Sequence, residues 1–191
     1  MSDVASIALL LVGLAGISLY IIINRRTPSV ILGPGPVDRY VPFIPLFVGP
    51  YLLLFPFLLF TLISLWPTEN RDAFLLSCTI AAWTGGFTWF LLPLGIRRTE
   101  IVPAGIASRI VAWIYHIDAN TTTFPSAHVY FALIAAFFLT DSFPVFSPLW
   151  WILGLLISIS TVFVKQHYVV DFVAGSIWAA GSIGLALFFL S

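Results

Sequence analysis

Residues 4–23 read VASIALLLVGLAGISLYIII, twenty consecutive residues without a charged side chain. About 20 apolar residues are enough for a helix to cross the hydrocarbon core of a bilayer. The run has neither a basic leader nor a small-residue cleavage site, so it predicts a retained membrane helix rather than a signal peptide. The whole chain of 191 residues is 60% hydrophobic and 8% charged. A soluble domain carries about 25% charged residues, so the sequence predicts a protein whose main solvent is lipid.

Five further apolar runs follow the first, separated by segments rich in proline, glycine or charge. They cover residues 41–66, 73–95, 126–139, 149–164 and 168–190. The run at 126–139 is short for a complete crossing, and the four prolines of the run at 41–66 predict kinks. The sequence therefore predicts an all-α, polytopic membrane protein, a bundle of six transmembrane helices that forms a single domain over residues 1–191.

Six crossings place both termini on one face of the membrane and three polar segments on the other. These segments are residues 27–40, 96–124 and 165–171, which contain most of the reactive side chains. The formal net charge is zero, so nothing indicates a nucleic-acid partner. We therefore expect any chemistry to occur at the face where the three segments meet.

The first candidate motif is Phe124-Pro125-Ser126-Ala127-His128, at the start of the fourth run. Proline suits the first turn of a helix, and serine can cap backbone amides there. A helix N-terminus binds phosphate oxygens through its free N–H groups. His128 lies about one turn inside, within reach of a ligand at that terminus.

The second candidate motif combines Ser160-Thr161, Lys165-Gln166-His167 and Asp171. A spacing of four places His167 and Asp171 on the same face of a helix. The carboxylate can fix the imidazole tautomer and leave the other ring nitrogen free as a nucleophile or base.

Positive side chains near the second motif favour an anionic substrate. Lys165 is adjacent, and Arg97 and Arg98 at the end of the third run are further donors whose planar groups match phosphate. Anchoring at the membrane edge is the alternative for both arginines, and His116 is interpreted as such an anchor. Two histidines and an aspartate could bind zinc. However, no third ligand stands at the right spacing and the nearby cations would repel a metal ion, so we expect neither a metal nor another cofactor.

The paired motifs resemble the type 2 phosphatidic acid phosphatase (PAP2) superfamily, and most closely its branch with the inositol phosphorylceramide synthases. The similarity covers about residues 38–175. The resemblance implies a metal-free six-helix membrane bundle in which His167 forms a phosphohistidine, Asp171 orients it and His128 protonates the leaving oxygen. The phosphate is then expected to be held by Ser126, Lys165, and Arg97 or Arg98.

Three positions depart from the family pattern. The usual first motif, a lysine followed after six residues by arginine and proline, is absent, because Arg98 precedes Thr99. Ala127 replaces the usual glycine of the central motif, and Thr161 replaces the usual arginine of the last one. Lys165 is the candidate to supply that missing charge.

Three functions are compatible with this pattern. In a lipid-phosphate phosphatase, which we favour for so small a chain, water attacks the phosphohistidine of a lipid phosphomonoester or pyrophosphate. In a lipid phosphotransferase, an alcohol attacks instead. A non-catalytic membrane scaffold or transporter with a degenerate pocket is the third. The expected partners are a lipid phosphate and the surrounding membrane lipids, and the sequence leaves the lipid tail and the oligomeric state open.

The charge distribution and the resemblance disagree on sidedness. Seven of the eight lysine and arginine residues lie on the predicted active-site face and only Arg71 lies opposite, which the positive-inside rule places in the cytoplasm. The resemblance implies the outer or lumenal side. Because charges that bind phosphate bias the count, we expect a plasma-membrane protein with its active site on the outer face.

Overall fold

The computed structural model describes residues 2–191, which form eight α-helices and two short strands. In chain order these are α1 (Asp3–Ile23), β1 (Val30–Leu32), α2 (Val48–Leu52), α3 (Leu54–Leu65), α4 (Arg71–Leu91), β2 (Leu94–Ile96), α5 (Ile106–Ile117), α6 (Ala127–Ser142), α7 (Ser147–Phe163) and α8 (Val169–Leu190). Short 3₁₀ turns at Pro45–Phe47 and Pro144–Phe146 lead into α2 and α7.

Five helical segments of the described chain are long and apolar enough to cross a bilayer. They are Asp3–Ile23, Pro45–Leu65, Arg71–Leu91, Pro144–Phe163 and Val169–Leu190. The predicted fourth crossing corresponds to α6, which has 16 residues. The structure therefore supports a helical membrane protein, whereas the count of six spanning helices is not confirmed.

The central position of α6 explains how so short a helix serves the bundle. It packs against α3, α4, α7 and α8, and most of its residues from Val129 to Leu139 are buried. At Gly154 of α7 an added Cβ would lie 2.8 Å from the Cβ of Ala136, so this glycine permits the close contact between α6 and α7. Because protein surrounds α6, its length need not match the lipid thickness.

The segment 45–65 is broken, as its prolines predict. The regular hydrogen-bond pattern is interrupted at Leu53, whose N–H is shared between the carbonyls of Gly49 and Pro50, both at 3.1 Å. Pro56 has no N–H to offer the carbonyl of Leu52, four residues earlier. This interruption separates α2 from α3, and a kink of the helix axis stays a prediction.

Helix α1 lies against α4, and glycine makes the contact close. A Cβ at Gly13 would lie 2.9 Å from Oγ1 of Thr79. At the end of the bundle away from the three polar segments, the Arg71 guanidinium pairs with Asp3 at 2.6 Å. These contacts fix the N-terminal helix to the bundle.

The loops on the active-site face contain more structure than predicted. Strands β1 and β2 pair in parallel, with Val30 opposite Leu94, and α5 occupies part of the segment 96–124. The side chain of Asn120 extends the pairing, since its Oδ1 accepts from the Ile96 N–H at 3.1 Å and its Nδ2 donates to the Ile96 carbonyl at 2.6 Å. The all-α prediction thus omitted a two-stranded sheet, which forms because two loops from neighbouring helices run side by side.

Candidate active site

The three polar segments meet on one face of the bundle. The Lys165 ammonium donates to the carbonyl of Asp38 at 3.3 Å, and the Tyr168 hydroxyl donates to the carbonyl of Arg97 at 3.1 Å. Thr121 donates to the carbonyl of Arg26 at 2.6 Å. The polar loops therefore form one connected layer over the helix ends.

Within this layer the two candidate motifs are adjacent. The backbone N–H of Ser126 points at the carbonyl of Asp171, 3.4 Å away. At Gly175 a Cβ would lie 2.9 Å from the carbonyl oxygen of Ser126, so α8 runs directly against the start of α6. The indole of Trp89 donates to the Pro125 carbonyl at 3.2 Å and supports the turn from beneath.

His167 faces Asp171 at the start of α8. Nδ1 of the imidazole lies 3.6 Å from Oδ2 of Asp171, which is longer than a hydrogen bond. Both side chains are buried. Oδ2 already accepts the N–H of Tyr168 at 2.8 Å, so the carboxylate is held in place by the helix terminus. Nδ1 of the ring therefore faces the carboxylate without a hydrogen bond, and the orienting role of Asp171 stays a prediction.

The ring of His128 lies between aromatic side chains of the second membrane segment. It stacks on Tyr51, with centroids 4.0 Å apart and planes inclined by 18°, and Phe55 approaches edge-on at 6.1 Å. His128 lies in the first turn of α6 and His167 just before α8, and the start of α6 lies against α8 at Gly175. The two motifs are therefore on the same face of the bundle, and a contact of both rings with one ligand stays a prediction. Tyr51 and Phe55 were missed, because nothing distinguishes them from other aromatic residues of a membrane segment.

Of the two candidate arginines, only Arg98 points toward the second motif. Its Nη2 donates to Oε1 of Gln166 at 3.0 Å and to Oδ2 of Asp118 at 2.7 Å. Its Nη1 donates to the carbonyls of Tyr115 and Asp118 at 2.8 and 2.7 Å. Four donors are thus committed to protein groups, so a bidentate grip on phosphate by the guanidinium fork is not available in this arrangement.

The side chain of Arg97 is exposed, while its backbone N–H bonds to the carbonyl of Leu32 at 2.9 Å. Arg97 therefore extends the strand pairing. The side chains of the two arginines have different surroundings, and which of them binds phosphate stays a prediction.

Lys165 points toward the loop before the second membrane segment. Its ammonium donates to the carbonyls of Asp38 and Val41, at 3.3 and 2.6 Å, and its backbone lies in the left-handed region with φ of 55°. Burial lowers the pKa of Lys165 below its usual value, and the nearby Asp38 carboxylate opposes that shift. Two of its three donors are in use, which leaves one for an anion.

Ser126 is the residue that precedes α6, with extended backbone angles. Its Oγ is buried and, within the described chain, has no hydrogen-bond partner. It therefore does not cap its own helix, and its hydroxyl remains available to a ligand. Its place as a phosphate-binding group stays a prediction.

Asp38 is a structural residue that the sequence analysis did not single out. Its carboxylate accepts the N–H of Val169 at 2.8 Å through Oδ1 and the N–H of Gly35 at 2.8 Å through Oδ2. It is buried although it lies in a loop. Asp38 thus caps α8 from a distant segment, and no local sequence pattern indicates this role.

Buried polar atoms without a partner are concentrated at this site. Nine such side-chain atoms occur in the described residues, and six of them belong to the two motifs or to Arg98. The six are Arg98 Nε, Ser126 Oγ, His128 Nε2, Gln166 Nε2, His167 Nδ1 and Asp171 Oδ1. Because buried polar groups are normally satisfied in proteins, this concentration makes the start of α6 and α8 the candidate site for a polar ligand.

Two apolar cavities lie beside the site. One of about 550 Å³ is lined by residues within 43–46 and 102–108, and another of about 210 Å³ lies between the ends of α7 and α8. Neither of these two is lined by the candidate histidines. Among the described residues, no group of three or more His, Cys, Asp or Glu side chains is placed to hold a metal ion.

A comparison with protein families adds an independent observation. The model of the PAP2 superfamily matches residues 51–185, a range that includes both motifs and Arg98. The comparison with curated proteins found no match.

Proposed function

The chain belongs to the PAP2 superfamily, and from this premise we propose that it is a membrane phosphatase acting on a phosphomonoester or pyrophosphate of a lipid. Membership in the superfamily indicates chemistry of the phosphatase or phosphotransferase type. The observation that carries the proposal is the concentration of six partnerless buried polar atoms around the paired histidines. Four of these atoms are donors to which a phosphate group can offer oxygens: Arg98 Nε, Ser126 Oγ, His128 Nε2 and Gln166 Nε2. The other two belong to the His167–Asp171 pair, in which the ring nitrogen faces the carboxylate.

The proposed reaction proceeds in two steps, with the roles that the resemblance implies. Nε2 of His167 attacks phosphorus while the bond to the lipid oxygen breaks, and His128 gives its proton to that oxygen. Asp171 stabilises the Nδ1–H as the ring gains positive charge. Water then attacks the phosphohistidine with His128 as the base, so that phosphate leaves and both histidines return to their starting state.

A membrane site suits a lipid substrate. The reactive face lies at the ends of helices whose outer surfaces are apolar, and the two cavities beside it are lined mainly by apolar side chains. A lipid tail can therefore remain in the bilayer while its headgroup reaches the layer of polar loops. These features support a lipid phosphate as the substrate class.

The test uses purified protein in detergent with a lipid phosphate carrying ³²P. The wild type should release free phosphate, and His167→Ala should lower that rate by roughly 10³-fold or more, because the nucleophile is lost. His116→Ala is the matched control, since His116 is exposed on α5. His167→Ala with wild-type turnover and intact folding would refute the proposal.

The same assay separates the alternatives. A new labelled lipid that forms only when an alcohol acceptor is added would identify a phosphotransferase. In a separate test in cells, a His167→Ala variant that retains the protein's cellular function would identify a non-catalytic scaffold or transporter.

We also propose that the active-site face is on the extracellular side of the plasma membrane. Glu69 and Glu100 are exposed on opposite ends of the bundle. In a Cys78→Ser background, Glu100→Cys should react with an impermeant thiol reagent in intact cells and Glu69→Cys should not. The reverse labelling pattern would overturn this orientation.

A further inference from the structure

Gln166 is a buried side chain whose two ends have different surroundings. Only 2% of the residue is exposed. Its Oε1 accepts a hydrogen bond from Arg98 at 3.0 Å, whereas its Nε2 is buried and unpartnered within the described chain. A buried amide that leaves one end unsatisfied calls for a physical explanation.

The orientation of this amide follows from its partner. Oxygen and nitrogen of a glutamine side chain are distinguished by their hydrogen bonds rather than by shape. A guanidinium has donors only, so the atom facing Arg98 is the oxygen. The nitrogen, with its two N–H groups, therefore points away from Arg98.

Arg98 also has one buried N–H donor without a hydrogen-bond partner among the described residues. A guanidinium carries five N–H donors, and the four on its Nη atoms are matched by four acceptors from Tyr115, Asp118 and Gln166. The fifth, on Nε, is buried without a partner. Arg98 can thus offer one N–H to a ligand without giving up a contact.

The position of Gln166 connects this pair of donors to the proposed nucleophile. Gln166 directly precedes His167, and the backbone N–H groups of both donate to the carbonyl of Thr161, at 3.0 and 3.1 Å. This shared acceptor fixes the backbone of the two residues as one turn between α7 and α8.

We propose that Gln166 is a phosphate-binding residue, donating from Nε2 to a phosphate oxygen while its Oε1 holds Arg98 with Nε directed at the same group. This inference rests on the proposed function, because it assumes that a phosphate group is bound next to His167. The two Nη atoms of Arg98 are occupied by protein acceptors and cannot bind phosphate in a bidentate manner. One N–H from Gln166 and one from Arg98 Nε take the place of that interaction.

The charge balance explains why an uncharged donor is useful at this position. The Arg98 charge is already paired with Asp118 at 2.7 Å. A neutral amide adds hydrogen bonds to the anion and needs no counter-ion, so it avoids the cost of burying a further charge. Gln166 thereby takes part of the role of the charged residue missing at Thr161.

The test measures the affinity for inorganic phosphate, as its inhibition constant and as the rise in melting temperature that it causes, together with KM and kcat for a lipid phosphate. Gln166→Glu keeps an acceptor for Arg98 but has no N–H. Gln166→Met removes both polar atoms at similar size without adding charge, and it leaves Arg98 three of its four contacts. We expect both variants to bind phosphate about 10- to 100-fold more weakly and to raise KM by a similar factor.

A merely structural role for Gln166 gives a different result. Gln166→Met would then retain wild-type phosphate affinity and KM, which would overturn the inference. The carboxylate of Gln166→Glu repels phosphate in either case, so if Gln166→Met fails to fold, unchanged phosphate affinity in Gln166→Glu overturns the inference equally. Phosphate affinity that depends on Gln166 in a protein with no lipid-phosphate turnover would support this binding site while refuting the proposed function.

Discussion

Gly175 is the position where the geometry of the site depends most directly on one missing side chain. A Cβ there would lie 2.8 Å from Cβ of Val129 and 2.9 Å from the carbonyl oxygen of Ser126. The Ser126 oxygen is a backbone atom directly before α6, and Cβ of Val129 is attached to the backbone in the first turn of α6, so neither can move aside as the end of a flexible side chain would. Gly175→Ala must therefore push α8 away from the start of α6.

The size of the displacement follows from these distances. Carbon atoms rest at about 3.5 to 4.0 Å, so the helices must separate by about 0.7 Å or more. Overpacking of this kind costs about 1–3 kcal/mol of unfolding free energy. Because His167 and Asp171 are carried by the start of α8, the same shift misplaces the proposed nucleophile, and a misplacement near 1 Å can cost about 10²-fold in rate.

The measurement is the rate of phosphate release together with the melting temperature of Gly175→Ala in detergent. Gly181→Ala is the matched control, because nothing lies within 4 Å of a Cβ at Gly181 on the same helix. In a helix interior this replacement is neutral or stabilises by up to about 1 kcal/mol. If Gly175→Ala behaves like Gly181→Ala in both measurements, the close contact at Gly175 does not position the site.

Three further predictions concern residues around the site. Arg98→Lys should lower the rate of phosphate release by about 10²-fold, because one ammonium cannot replace the guanidinium contacts. Arg97→Lys should change that rate by no more than about twofold. Equal rates for the two variants would contradict the proposal that Arg98 is the arginine of the site. Asp38→Asn should lower the unfolding free energy by about 1–2 kcal/mol, because an amide N–H₂ then faces one of two backbone N–H donors, and an unchanged melting temperature would refute this capping role. Asn120→Ala should cost about 3 kcal/mol, because it removes two hydrogen bonds to Ile96 and leaves a φ of 59° to a residue that disfavours it. Asn120→Gly keeps the bond loss without the strain, so a melting temperature no higher than that of Asn120→Ala would contradict the strain component.

Hydropathy predicted the long helices because lipid exposure requires an apolar surface along the whole segment. Ends of the predicted runs lie near those of the helices, as for the run at 4–23 and α1. Alternation of the crossings also predicted which loops meet, and the bonds from Lys165 to Asp38 and from Tyr168 to Arg97 show that they do. These features follow from the composition of each segment and from the order of the segments along the chain.

The parts that were missed depend on contacts between distant segments. Asp38 caps α8 across 131 positions of sequence, and a single aspartate in a proline-rich loop carries no local sign of that. For α5 a signal was present, because Ile110, Val111 and Ile114 repeat at helical spacing. The helix was nevertheless not predicted, because polar residues surround these apolar positions in the sequence.

The choice between Arg97 and Arg98 could not be made from sequence for a related reason. Adjacent residues in an extended segment point in opposite directions, so one of the pair faces the site and the other faces away. Which of the two faces Gln166 depends on how the chain leaves β2 after Ile96. That path follows from the loop packing, which no periodicity encodes.

The two carboxylates at the start of α8 have a consequence for how an anion would approach. Asp171 takes the N–H of Tyr168 and Asp38 takes that of Val169, so the partial positive charge at this helix end is already neutralised. An anion therefore gains little from the start of α8. The start of α6, which no side chain of its own N-cap residue covers, keeps its partial positive charge and is the more favourable of the two helix ends for a negative group.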